Sequence, residues 1–138
     1  MKLDQIKKDP IDYWIDLIQE DIGSYTNVEV VKALVFGLRD KEMLKYFSVD
    51  NTGVFAYVIS DDFKGGQCLN ELMFYIRKEC RGNPRLLKRY LDIVEEIARD
   101  KNCSCVKIGS NIEYRDITFL ELLKNRFGYV DDTVAKYI

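Results

Sequence analysis

The chain of 138 residues contains no histidine. That absence removes Ser-His-Asp triads, Cys-His nucleophile pairs and every His-ligated metal site. Any acid–base chemistry must come from Glu, Asp, Tyr, Lys, Cys or water. Proline is nearly absent, with two residues, and glycine is modest at eight, which argues against a linker or low-complexity protein. The four cysteines, Cys68, Cys80, Cys103 and Cys105, include one Cys-x-Cys pair but no Cys-x-x-Cys. Zinc-ribbon and zinc-finger spacings are not met. Reduced thiols, buried as small hydrophobes, are the expectation. No window approaches the roughly 18 unbroken apolar residues of a membrane span. The start, "MKLDQIKKDPIDYW", has charges but no apolar leader core. A soluble cytoplasmic protein is therefore expected.

What is present suits one domain over residues 1–138. An apolar fraction of 47% can fill a core, and 32% charged residues can keep it in solution. The formal net charge is −2, so the molecule as a whole does not attract polyanions, and any basic patch must be local.

Ile11, Trp14, Ile15, Ile18 and Ile22 recur at helical spacing, so residues 10–22 predict a helix with Pro10 in its first turn. Thr26 and Glu29 have capping-box spacing ahead of a second apolar stripe, Val28, Val31, Val35 and Leu38. The period then changes. "MLKYFSV", "GVFAYVIS" and "LNELMFYIRK" are aromatic and β-branched, and "DNTG" and "DDFKGGQ" separate them. Short turns favour antiparallel pairing. Asn83 and Pro84 then form a helix start, and Leu87, Leu91, Val94 and Ala98 mark its buried stripe. "CSCVKIG" reads as a strand on which Cys103, Cys105 and Lys107 share a face. "DITFLELLKNRF" reads as a helix stopped by Gly128, and "YVDDTVAKYI" as a last strand. "MKLDQI" could add a short edge strand. The order predicts an α+β domain with a strand–helix–strand unit at its centre.

The stretch "YIRKECRGNPRLLKRY" gathers Arg77, Lys78, Arg81 and Arg85 around a helix start. Cations oppose the positive end of a helix dipole. Either an anion sits there or these are solvated charges.

The element order and three local pieces resemble the GNAT superfamily of acetyl-CoA-dependent N-acetyltransferases. "RKECRGNPRLL" is similar to the family's strand–turn–helix that holds the cofactor pyrophosphate. "EEIARDKNCSCVKIGS" is similar to its helix end and fifth strand, with Asn102 where glycine is common. "LELLKNRFGYV" is similar to its Gly-Phe junction, with Gly128-Tyr129. The chain departs at Pro84 and Leu86, which stand where small loop residues are usual, and at Lys124, which stands where a tyrosine is frequent.

The resemblance implies a mixed sheet with antiparallel N-terminal strands, a parallel strand–helix–strand centre and flanking helices. It implies acetyl-CoA as co-substrate and an amine of a small molecule or protein as acceptor. By the same carry-over Glu71, at the opening of "ELMFYI", would be the general base. Backbone groups around Phe74 and Ile76 would meet the pantetheine arm. Gly82, Asn83, Arg85 and Leu86 would present amides to the phosphates, with charge from Arg77, Arg81 and Arg85. Tyr129, Tyr114 or water would take the acid step in place of the tyrosine that Lys124 replaces.

Each residue also has an ordinary reading: an exposed strand glutamate, packing tyrosines, a solvated lysine. Cys103 and Cys105 lack a histidine to activate them. Small phage-borne relatives of the fold include virion proteins, so an inactive interaction protein, with a protein partner or as a homo-oligomer, is the alternative to the enzyme. Its contact surface would be Tyr13, Trp14 and the N-terminal helices. A nucleic-acid partner is not expected from the charge balance, nor is a membrane.

Overall fold

The apolar spacing at the start of the chain produces α1, Pro10–Asp21, with Ile11, Trp14, Ile15 and Ile18 all buried. The computed structural model describes residues 10–108 except Ser24, and residues 123–130 except Arg126. The edge strand "MKLDQI", the final strand beyond Val130, Tyr114 and most of "DITFLELLKNRF" lie outside the described residues. Helix α2 is Val28–Asp40. Its cap is Asn27, not Thr26: the Asn27 side chain accepts from the Val30 amide at 3.2 Å. An asparagine at that position satisfies an amide of the first turn as a threonine would.

Four strands follow in the spatial order β1-β2-β3-β4: β1 Lys45–Phe47, β2 Gly53–Asp61, β3 Gln67–Ile76 and β4 Cys105–Lys107. The first three pair antiparallel, and β4 pairs parallel to β3. A parallel neighbour needs a long crossover, and α3, Pro84–Asp100, supplies it. The sequence-derived mixed sheet with flanking helices is therefore present.

Turn chemistry explains the connections. Between β1 and β2 the Thr52 amide donates to the Val49 carbonyl at 2.9 Å, and Asp50 and Asn51 both have left-handed φ, +49° and +58°. This is the hairpin turn whose twist matches the strands, and Asp and Asn tolerate it. At the end of α3, Asn102 has φ +57°, and Cys103 donates to the Ala98 carbonyl at 2.8 Å. Asn102 thus closes a Schellman motif in the place where glycine is usual. Gly128, at φ +76°, follows the helical residues before it in a left-handed conformation, and the Tyr129 amide donates back to the Leu123 carbonyl at 3.0 Å.

The sheet is covered on both sides. Val54, Ala56, Met73 and Tyr75 face α1 and α2. Phe55, Tyr57, Leu69 and Phe74 face α3, where Leu87, Tyr90, Leu91, Val94 and Ala98 form the buried stripe. No helix among the described residues is long and apolar enough to cross a membrane.

One sequence expectation is corrected. Cys68 and Cys105 are not reduced thiols but a disulfide across β3 and β4. The parallel register sets them directly opposite one another, with Cα atoms 4.9 Å apart. That separation suits a disulfide. Cys103 lies off the strand, in the α3-side core.

Tyr90 ties the aromatic core to the hairpin. Its ring lies 5.8 Å from Phe47 and 5.4 Å from Phe74, and its hydroxyl accepts from the Val49 amide at 3.1 Å and meets Thr52 Oγ1 at 3.0 Å. Tyr90→Phe is expected to lower stability by about 1–2 kcal/mol, because the buried Val49 amide loses its acceptor. Urea unfolding would measure this, and an unchanged midpoint would show that the hydroxyl does not hold the turn.

Candidate functional site

The site is built where β3 ends and α3 begins. Strand β3 carries a bulge: Ala56 pairs with Met73 and the next residue, Tyr57, pairs with Glu71, so Leu72 is the extra residue. A bulge bends its strand and re-aims the side chains beside it. Glu71 does not open the strand, as the resemblance implied, but lies within it. The strand begins at Gln67, where residues 67–70 pair with β2 and residues 68–70 also pair with β4. Glu71 is 7% exposed and is the one charged residue in the core among the described residues. A buried carboxyl is costly unless paired, so its place there is a specific feature and not an exposed strand glutamate.

Beyond the bulge, the Arg77 amide donates to the Thr52 carbonyl at 2.8 Å. Antiparallel alternation then turns the main-chain groups of Phe74 and Ile76 away from β2. The Ile76 carbonyl confirms this direction by accepting from Arg81 Nε at 2.9 Å. The Phe74 side chain is core, in edge contact with Phe55. Whatever Phe74 contributes to a site comes from its backbone.

The four cations of the turn do not act together. Arg77 donates to the Asn51 carbonyl at 2.6 Å and to its side chain at 3.1 Å, and its guanidinium lies 4.7 Å from the Trp14 ring centroid. Arg81 reaches Asp21 Oδ2 at 2.6 Å, and the Tyr75 hydroxyl donates to the same oxygen at 2.7 Å. Both arginines fasten the turn to α1. Lys78 and Arg85 are exposed. Of the expected phosphate-facing amides, those of Arg85 and Leu86 donate to Asn83 Oδ1, at 3.1 and 3.3 Å. Asparagine at the cap takes the bonds the resemblance assigned to a ligand. The amides of Gly82 and Asn83 have no acceptor among the described residues. Gly82 has φ +82°, which suits glycine and aims this turn.

Tyr129 packs against the α3-side core, and its hydroxyl is buried without a hydrogen-bond partner among the described residues. Burial first, and Glu95 second, push its pKa up to about 12. Burial likewise raises the Cys103 thiol, which disfavours the thiolate. Lys124 is exposed. Sequence reasoning missed Asp21 as the shared partner of Tyr75 and Arg81, and no local signal links residues so far apart in the chain.

The Tyr75 hydroxyl bond is the main cause holding the Asp21 carboxyl below its ordinary value; desolvation opposes it, and Arg81 and Lys78 add to the lowering. A depressed carboxyl contributes stability that is present above the unfolded value of about 4 and lost as pH falls through the folded one. Asp21→Asn is expected to cost about 1–3 kcal/mol at neutral pH and to flatten the acid side of the stability profile. Melting temperatures between neutral pH and the acid limb would measure it. Parallel profiles for the variant and the parent protein would exclude this clamp as the acid-sensitive element.

No family model matches the chain, and no curated protein matches it. Solved structures do. A GNAT family acetyltransferase from Staphylococcus aureus superposes with a TM-score of 0.56 at 21% identity, over 86% of this chain and 82% of that one. A predicted acetyltransferase from Clostridium acetobutylicum, solved with acetyl-CoA, gives 0.65 at 15% identity, over 94% and 92%. A transcriptional regulator from Bacillus halodurans gives 0.69 at 9% identity, over 93% and 91%. At these identities the fold is what is shared, and a fold hosts more than one function. The bulged β3, the crossover helix α3 and the parallel β4 thus form part of a chain that has the fold of the GNAT acetyltransferases.

Proposed function

We propose that the protein is an acetyl-CoA-dependent N-acetyltransferase acting on an amine. The observation that carries this reading is the start of α3. The amides of Gly82 and Asn83, which have no acceptor among the described residues, precede a 17-residue helix with Arg85 in its first turn, after a bulged strand. Such a terminus presents unpaired N–H groups and a positive dipole end to a phosphate. Phe74 and Ile76 turn their backbones to the side of β3 away from β2, where the pantetheine arm would run.

Acetyl-CoA would supply the activated acyl group. The chain's own residues would hold and move protons. Glu71 is the candidate base, since an ammonium must lose a proton before its nitrogen can attack. Tyr129 is suited to a narrower role than acid. With its pKa pushed up to about 12 it keeps its proton, but it would not surrender it readily to a thiolate, because an ordinary thiol is the stronger acid (a cysteine thiol is about 8.5). It would donate a hydrogen bond to the departing sulfur, with water completing the protonation. Arg77 and Arg81 would position the turn and not touch the phosphates.

A second reading has its own observation. Asn83 already occupies two of the expected amides, and two of the four cations are tied into the fold. That favours an interaction protein that keeps the fold without the co-substrate.

Calorimetric titration with acetyl-CoA separates the two. The enzyme reading expects micromolar binding, weakened about five- to tenfold by Arg85→Ala. No heat at millimolar acetyl-CoA would sink it in favour of a partner search. If acetyl-CoA binds, Glu71→Gln is expected to lower kcat by about 100-fold or more with acetyl-CoA affinity unchanged. An unchanged kcat would remove Glu71 as base.

A further inference from the structure

On the opposite face of the sheet from α3, a cleft of about 560 Å³ opens between α2 and the bulge of β3. Its walls are Val31, Leu34, Val35 and Leu38 from α2 and Leu72 and Met73 from the strand. That size falls within the roughly 300–1,000 Å³ of small-molecule sites, which pair apolar walls with a few polar groups. Two features show what the cleft would take. Leu34 is 66% exposed, so α2 turns a large apolar side chain towards solvent at its rim. Lys41, one turn beyond Gly37, is the one charged residue lining the cleft, and it makes no ion pair among the described residues. Gly37 borders open space: a Cβ built there meets nothing within 4 Å, so a large side chain at this position has room to enter the cleft.

We propose that this cleft binds an amphipathic anion, a small molecule with an alkyl or aryl body and one carboxylate- or sulfonate-type group directed at Lys41. The apolar walls select the body, and Lys41, exposed at the rim, supplies the complementary charge that sets its orientation. The exposed Leu34 becomes covered when the body is seated. This inference goes beyond the acetyltransferase reading and does not depend on it.

The test uses the full chain and two fluorescent probes of nearly the same shape: 1-anilinonaphthalene-8-sulfonate and uncharged N-phenyl-1-naphthylamine. Saturable one-site binding of the sulfonate, displaced by octanoate, is expected. Gly37→Phe fills the cleft and should weaken both probes by about tenfold or more. Lys41→Glu should weaken the sulfonate by about fivefold or more and leave the neutral probe unchanged. Should Gly37→Phe not fold, as judged by circular dichroism, Leu34→Glu at the exposed rim is expected to reduce binding of both probes. Sulfonate binding that survives Gly37→Phe or Leu34→Glu in a folded protein would overturn the site. Equal effects of Lys41→Glu on both probes would overturn the anion. No saturable binding to the parent protein would overturn the proposal outright.

Discussion

Strands β2 and β3 are apolar on both faces, and the rest of the described fold covers them. Their antiparallel register runs from Gly53–Ile76 to Asp61–Gln67. Because successive side chains alternate, one face needs α1 and α2 and the other needs α3. The crossover that brings α3 over the sheet also places β4 parallel to β3. The start of α3 then lies at the end of β3, so the candidate site follows from the need to bury a two-sided strand pair.

The same economy governs the basic turn. A cluster of cations before a helix invites an electrostatic reading, yet Arg77 and Arg81 are held by Asn51, Trp14 and Asp21. They act as ties between the turn and α1. Their charges are used locally, one against a carboxylate and one against an aromatic face. The field that a phosphate would meet therefore comes from Arg85, Lys78 and the helix terminus.

Local pattern made the elements legible. The Ile11–Trp14–Ile15–Ile18 spacing and the Asn83–Pro84 start each correspond to an observed helix feature, as does the Gly128 stop. Local rules also failed in specific places. Thr26 looked like a cap, but Asn27, one residue on, makes the bond. Glu71 matched a strand-opening glutamate only by resemblance, whereas β3 runs back to Gln67 and leaves Glu71 inside it, beside the bulge at Leu72. The arginine partners and the Cys68–Cys105 pair depend on register across the sheet, which spacing along the chain does not encode. The candidate site was legible as a stretch of chain, while the split of its residues between fold and ligand was not.

The Cys68–Cys105 bond has a topological consequence. Its two cysteines lie 37 residues apart in sequence, so all of β3 after Gln67, the basic turn and all of α3 form a closed ring. Chain-entropy reasoning assigns a ring of that length about 4 kcal/mol of restraint on the unfolded chain. The ring contains the candidate catalytic glutamate and the helix terminus together. A backbone cut at the exposed turn would leave the two halves joined through sulfur, and the glutamate would stay tethered to the helix it serves.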